Sequence, residues 1–142
     1  MLESIKDLSP AQLNFIPEGF NNNIIWNMGH LVAAMQGVCY RRSGLPLQVS
    51  EDFFERFRPG SKPSGAVSDE AIAEIKTLLL SSPDQFPPDY EKGKFNTYES
   101  VVTRYGPELN NIEDAVAFLP FHEGLHIGCI MAMKRLILSL PA

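Results

Sequence analysis

Positive charge is scarce in this chain: 12 lysines and arginines face 17 aspartates and glutamates, a formal charge of −5, and the basic residues are scattered. No surface follows from this that could neutralise a phosphate backbone or an anionic lipid layer, so nucleic acid is not an expected partner. Cysteine is limited to Cys39 and Cys129, both inside apolar segments, which excludes a disulfide framework. The start, Met1-Leu2-Glu3-Ser4-Ile5-Lys6-Asp7, carries no apolar signal core. A reduced, cytoplasmic protein is the expectation. Long apolar runs are also missing. The stretch around Cys129 to Met133 falls far short of the ~20 residues of a membrane helix, and Lys134-Arg135 interrupts it, so no membrane segment is expected. There is no repeat and no low-complexity tract.

What is present suits one helical domain over residues 1–142, since 44% hydrophobic content at this length can fill a core without cross-links. Leu2 to Asp7 can make a helical turn or two. Ser9-Pro10 has the cap-then-proline order of a short helix through Phe15, which Pro17-Glu18-Gly19 closes. Asn21 to Asn23 can cap a long helix over 24–42, ended by Gly44 and Pro46. Its apolar residues fall on two adjacent stripes, one of which carries Trp26 and His30, so His30 should face the core. Ser50 starts a short amphipathic turn through Phe57, and Ser68-Asp69-Glu70 starts a helix through Leu80. Pro83, Pro87, Pro88, Gly93, Gly106 and Pro107 then predict a long connection from about Ser81 to Leu109, of the length that tends to cover functional sites. A last helix begins after Asn110 or Asn111. The seam Ile112, Val116, Leu119, His122, His126, Cys129, Met133, Leu136, Leu140 steps by threes and fours, and Pro120 should kink or restart the helix one turn before His122.

Histidine is nearly as rare as cysteine, and its three positions are the informative ones: His30, His122 and His126. Residues four apart on a helix stand on one face, so His122 and His126 form a bidentate clamp. If the His30 helix packs alongside, three imidazoles converge, and three protein ligands with one free position is the arrangement of a catalytic metal. A single core histidine is ordinarily a hydrogen-bonded structural residue. Three buried neutral imidazoles on the core faces of two helices would each be costly without a partner, and a shared ion satisfies all three. The string His122-Glu123-Gly124-Leu125-His126 also fits the zinc-protease pattern H-E-x-x-H. Such a protease needs a further ligand downstream, and residues 127–142 contain no His, Asp or Glu, which argues against it. Glu123 stands about 100° around the helix from His122, where it can serve as an acid/base group or as a solvated carboxylate. Cys129, one turn beyond His126, reads as a small core residue before it reads as a fourth ligand. Trp26 is core filler or the apolar wall of a substrate pocket.

The string Asn23-Ile24-Ile25-Trp26-Asn27-Met28-Gly29-His30-Leu31, followed about ninety residues later by His122-x-x-x-His126-Ile127-Gly128, resembles the DinB-like (YfiT-like) family of metal-dependent enzymes. Leu8-Ser9-Pro10-Ala11-Gln12-Leu13 before Pro17 is similar to that family's opening segment. The resemblance implies an all-α four-helix bundle with a three-histidine site for zinc or nickel, often as a homodimer. It also implies S-transfer or isomerisation of small molecules with a low-molecular-weight thiol such as bacillithiol or mycothiol. The alternatives are a non-enzymatic metal- or ligand-binding protein and a metal-dependent hydrolase. The chain departs from the pattern at its start, where only about seven residues stand in place of a long first helix, leaving a bundle face in need of cover.

Overall fold

The computed structural model describes residues 1–140. Its elements are a 3₁₀ turn at Leu2–Ile5, α1 (Pro10–Asn14), α2 (Ile24–Met35), α3 (Glu51–Phe57), α4 (Asp69–Glu91), the two-residue strands β1 (Val101–Val102) and β2 (Glu108–Leu109), and α5 (Ile112–Ser139). The architecture is the expected all-α bundle: α3, α4 and α5 surround α2. β1 and β2 form a small antiparallel hairpin in which Val101 pairs with Leu109.

Capping chemistry sets the helix starts. Ser9 and Gln12 bond reciprocally as a capping box for α1, and Ser50, Ser68 and Asn111 accept from the first-turn amides of α3, α4 and α5. At α2 the cap is Asn23, whose side chain accepts from the Trp26 amide at 2.8 Å and donates to the Asn14 carbonyl at 2.8 Å. Asn14 in turn bonds both the Val67 amide and the Val67 carbonyl, tying α1 to the segment before α4. Beyond Met35 the chain stays helical through a π turn (Gln36–Tyr40) and a 3₁₀ turn (Arg41–Ser43), and Gly44 ends it in the left-handed conformation.

Every residue of α2 is buried, which explains why its apolar residues occupy more than one stripe. Two apolar clusters result. The larger joins α2 to α3, α4 and the late part of α5 through Met28, Val32, Phe57, Ile75, Ile130 and Met133. The smaller joins Met35, Cys39 and Tyr40 to Leu109, Ile112 and Ala115. Along α5 these contacts leave a gap between Ala115 and Ile130, and His122 and His126 lie within it.

Four expectations change. The predicted connection from Ser81 is helical as far as Glu91, and α4 runs through Pro83, Pro87 and Pro88. All three prolines lie on the exposed side, where water can satisfy the carbonyls they leave unbonded. Tertiary anchors hold this end: Asp89 accepts from the Tyr40 hydroxyl at 3.1 Å and pairs with Lys94 at 2.6 Å, and Phe86 stacks near Phe95. α5 is likewise unbroken across Pro120, with no restart before His122. Its core seam is also displaced. Val116, Cys129, Leu136 and Leu140 are exposed, and Ala115, Ile130 and Ile137 are buried in their place. Finally, α5 is by length and composition apolar enough to cross a membrane, a property that counting unbroken runs overlooked. Its packing along α2 makes it a bundle helix here.

Candidate metal centre

α2 and α5 run antiparallel, and this brings the three histidines together. Their ring centroids lie 4.7 Å apart for His30 and His126, 4.6 Å for His122 and His126, and 5.2 Å for His30 and His122. One ring nitrogen of each falls within 4.8 Å of the others, so the trio is positioned to hold a single ion. His30 and His122 are buried and His126 is partly buried.

Burial decides the protonation of the cluster. Burial first, and then the neighbouring imidazoles, push His126 down to about 3 and His122 down to about 4. His30 is lowered as well, first by burial and then by the Arg104 guanidinium, against the raising effect of its bond to the Phe57 carbonyl. All three are therefore neutral at physiological pH, the form in which imidazole binds metals.

Two of the rings are oriented from behind. His30 Nδ1 lies 2.7 Å from the Phe57 carbonyl, and His126 Nδ1 lies 2.7 Å from Asn27 Oδ1. A carbonyl only accepts, so His30 carries its proton on Nδ1 and leaves Nε2 free. His122 differs: its Nδ1 is buried with no hydrogen-bond partner. Three neutral imidazoles with ring nitrogens this close, one of them carrying an unsatisfied buried nitrogen, fit a shared cation, and an all-nitrogen donor set suits a borderline divalent ion.

Aromatic rings line the centre. Trp26 stacks on His30 with centroids 4.8 Å apart and planes 11° off parallel, while its Nε1 donates to Ser61 Oγ at 3.2 Å. Phe118 lies 5.7 Å and Tyr105 6.4 Å from His122. Tyr105 sits at the tip of the β1–β2 hairpin, so the later part of the predicted connection does reach over the site. Glu123 is exposed and lines a different space, a 290 Å³ cavity walled by α2, α4 and α5 that includes Leu31, Met35, Leu79 and Ile127 but none of the histidines. Cys129 is exposed and outside the cluster, while Cys39 is buried with its thiol pushed up to about 12.

A family model described as the DinB superfamily matches residues 1–130. The chain belongs to the DinB superfamily. No curated protein matches it. The residues that sequence reasoning missed at this DinB-type site are Asn27, Phe57, Arg104, Tyr105 and Phe118. Only Asn27 carried a signal, as the one polar residue besides His30 in a buried, apolar helix.

Proposed function

We propose that His30, His122 and His126 hold one divalent ion, zinc or nickel, and that the protein is a metal-dependent enzyme transferring a low-molecular-weight thiol to a small electrophile. The observation that carries the reading is the cluster itself: three neutral imidazoles, one with an orphaned buried nitrogen. Bound there, the ion would supply Lewis acidity, lowering the pKa of a coordinated thiol or water. Trp26, Phe118 and Tyr105 provide an apolar, polarisable rim that favours a soft sulfur and an uncharged electrophile over water. The ligand set contains no carboxylate, and Glu123 lines the cavity away from it, which favours thiol transfer, needing no separate base, over hydrolysis. The test is S-conjugation of an epoxide or chloronitroaromatic with a panel of bacterial thiols, before and after chelation. Metal-dependent conjugation supports the assignment. Its absence at full metal occupancy would favour a metal- or ligand-binding protein.

The same reading includes a homodimer. Only 17% of the most apolar window of α5 is buried. Its outward face carries Ala117, Phe121, Gly124, Gly128 and Ala132, with open space beside both glycines. The charges in line with that stripe are Glu113 at one end and Arg135 at the other. A second copy laid antiparallel would set the acid of each against the base of the other and place Gly124 at the two-fold axis.

A further inference from the structure

The strongest unused relationship in the molecule lies behind the histidines. Asn27 is 1% exposed, and each atom of its amide is committed. Its Nδ2 donates to the Asn23 carbonyl at 2.8 Å and to Asn22 Oδ1 at 2.9 Å. The Asn23 carbonyl can only accept, which fixes the nitrogen on that side and turns Oδ1 toward His126 Nδ1 at 2.7 Å. Oδ1 can only accept as well, so the proton between them belongs to the imidazole.

We propose that Asn27 is the positioning residue of the metal centre: it holds His126 as the Nδ1–H tautomer and aims Nε2 at the ion. This rests on the metal reading above and extends it, because it divides the three ligands by how they are prepared. The Phe57 carbonyl does for His30 what Asn27 does for His126. The preset pair is therefore the one that spans two helices, His30 with His126, rather than the four-spaced pair on α5. His122, with no partner at Nδ1, takes its orientation from packing against Phe118 and Tyr105. Asn27 itself is anchored through Asn23, the residue that caps α2, so the helix start and the aim of a ligand on another helix share one hydrogen-bonded unit. Outer groups of this kind fix ring orientation and raise ligand basicity.

The experiment uses metal-free protein labelled with ¹⁵N at histidine, and reads the imidazole tautomers from long-range ¹H–¹⁵N correlations at neutral pH. His30 and His126 should each show a protonated Nδ1 and a bare Nε2. Asn27→Leu should release His126 into a mixture of tautomers and weaken cobalt binding about 10- to 100-fold. Asn27→Asp keeps an acceptor facing His126, so it should preserve the tautomer and most of the affinity. Both variants lose the amide donor and should lower thermal stability alike, so stability does not separate them and the tautomer does. A wild-type His126 protonated on Nε2, or a Leu variant with unchanged tautomer and affinity, would overturn the assignment. Because the spectra are taken without metal, a locked tautomer in a protein that binds no ion would sink the metal reading and leave the role of Asn27 standing.

Discussion

The ring of Phe57 occupies the space that a side chain on Gly29 would fill: a Cβ at position 29 would lie 2.6 Å from it. Absence of a side chain on α2 thus lets α3 close down, and the same closure carries the Phe57 carbonyl to 2.7 Å from His30 Nδ1. Four successive roles sit in one short segment. Trp26 stacks on His30, Asn27 aims His126, Gly29 admits Phe57, and His30 is itself a ligand candidate.

Gly29→Ala should therefore act on both stability and the site. Overpacking of a filled core costs about 1–3 kcal/mol, and the added methyl meets a buried ring. We expect a lower Tm and weaker metal retention together. Adding Phe57→Ala, which removes every ring atom the methyl would meet, should recover part of the overpacking loss, read as a coupling in a double-mutant cycle by thermal denaturation. Strict additivity would mean that the contact does not set the position of α3.

The ligand assignment is tested by His30→Ala, His122→Ala and His126→Ala. Two imidazoles rarely retain a divalent ion against buffer competition, so each variant should lose stoichiometric metal by elemental analysis of tag-free protein. About one ion per chain persisting in any of the three would contradict a shared site.

Acid should act on the apoprotein through the same residues. An unfolded histidine takes up its proton near 6.5, whereas His122 and His126 in the fold resist until about 4 and about 3 because burial penalises the charge. The unfolded state then binds more protons across that interval, so stability rises with pH through it and is fully present above the unfolded value. Urea midpoints of the metal-free protein should fall steadily as pH drops from 6.5 toward 4. In the His122→Ala/His126→Ala variant the slope should be much shallower. An equal slope would assign the acid sensitivity elsewhere, for instance to His30, which burial also lowers from 6.5.

Assembly follows from the outward face of α5. Light scattering at micromolar concentration should give a dimer of the 15.8 kDa chain. Gly128→Glu places a charge in the middle of that face, where no neighbouring atom lies within 4 Å, so it should yield monomer without disturbing the fold or the metal content. A wild-type monomer would exclude the dimer, and binding to lipid vesicles in its place would assign the face to a membrane.

Much of this was legible in the sequence because it is local. Caps, the proline at the start of α1, the glycine after α2 and the four-residue spacing of His122 and His126 are each set by neighbours along the chain. What was not legible depends on tertiary context. The prolines of α4 read as breaks because sequence shows the lost amides, but not the Tyr40 and Phe95 anchors that hold Asp89 and Phe86 in a helix. The α5 seam read one residue off in places because Val116 and Leu136 are as apolar as Ala115 and Ile137, and hydrophobicity cannot say which of two apolar neighbours faces α2. Asn27 was visible as a residue and invisible as a partner, since the bond to His126 spans ninety-nine positions.

Glu123 separates the remaining mechanisms. It adjoins His122 in sequence and completes the H-E-x-x-H string, yet its side chain lines the cavity between α2, α4 and α5. If water were the nucleophile, a carboxylate would be needed to take its proton, and Glu123→Gln, which keeps shape and removes the base, should lower turnover about 10²-fold or more. A thiol ionised at the metal has already lost its proton before attack, so conjugation should fall less than about threefold in the same variant. Measuring thiol conjugation and ester hydrolysis side by side in wild type and Glu123→Gln, each at confirmed metal occupancy, decides between them. A large loss of conjugation would place Glu123 in the transfer step and require α5 to turn that side chain toward the histidines when substrate is bound.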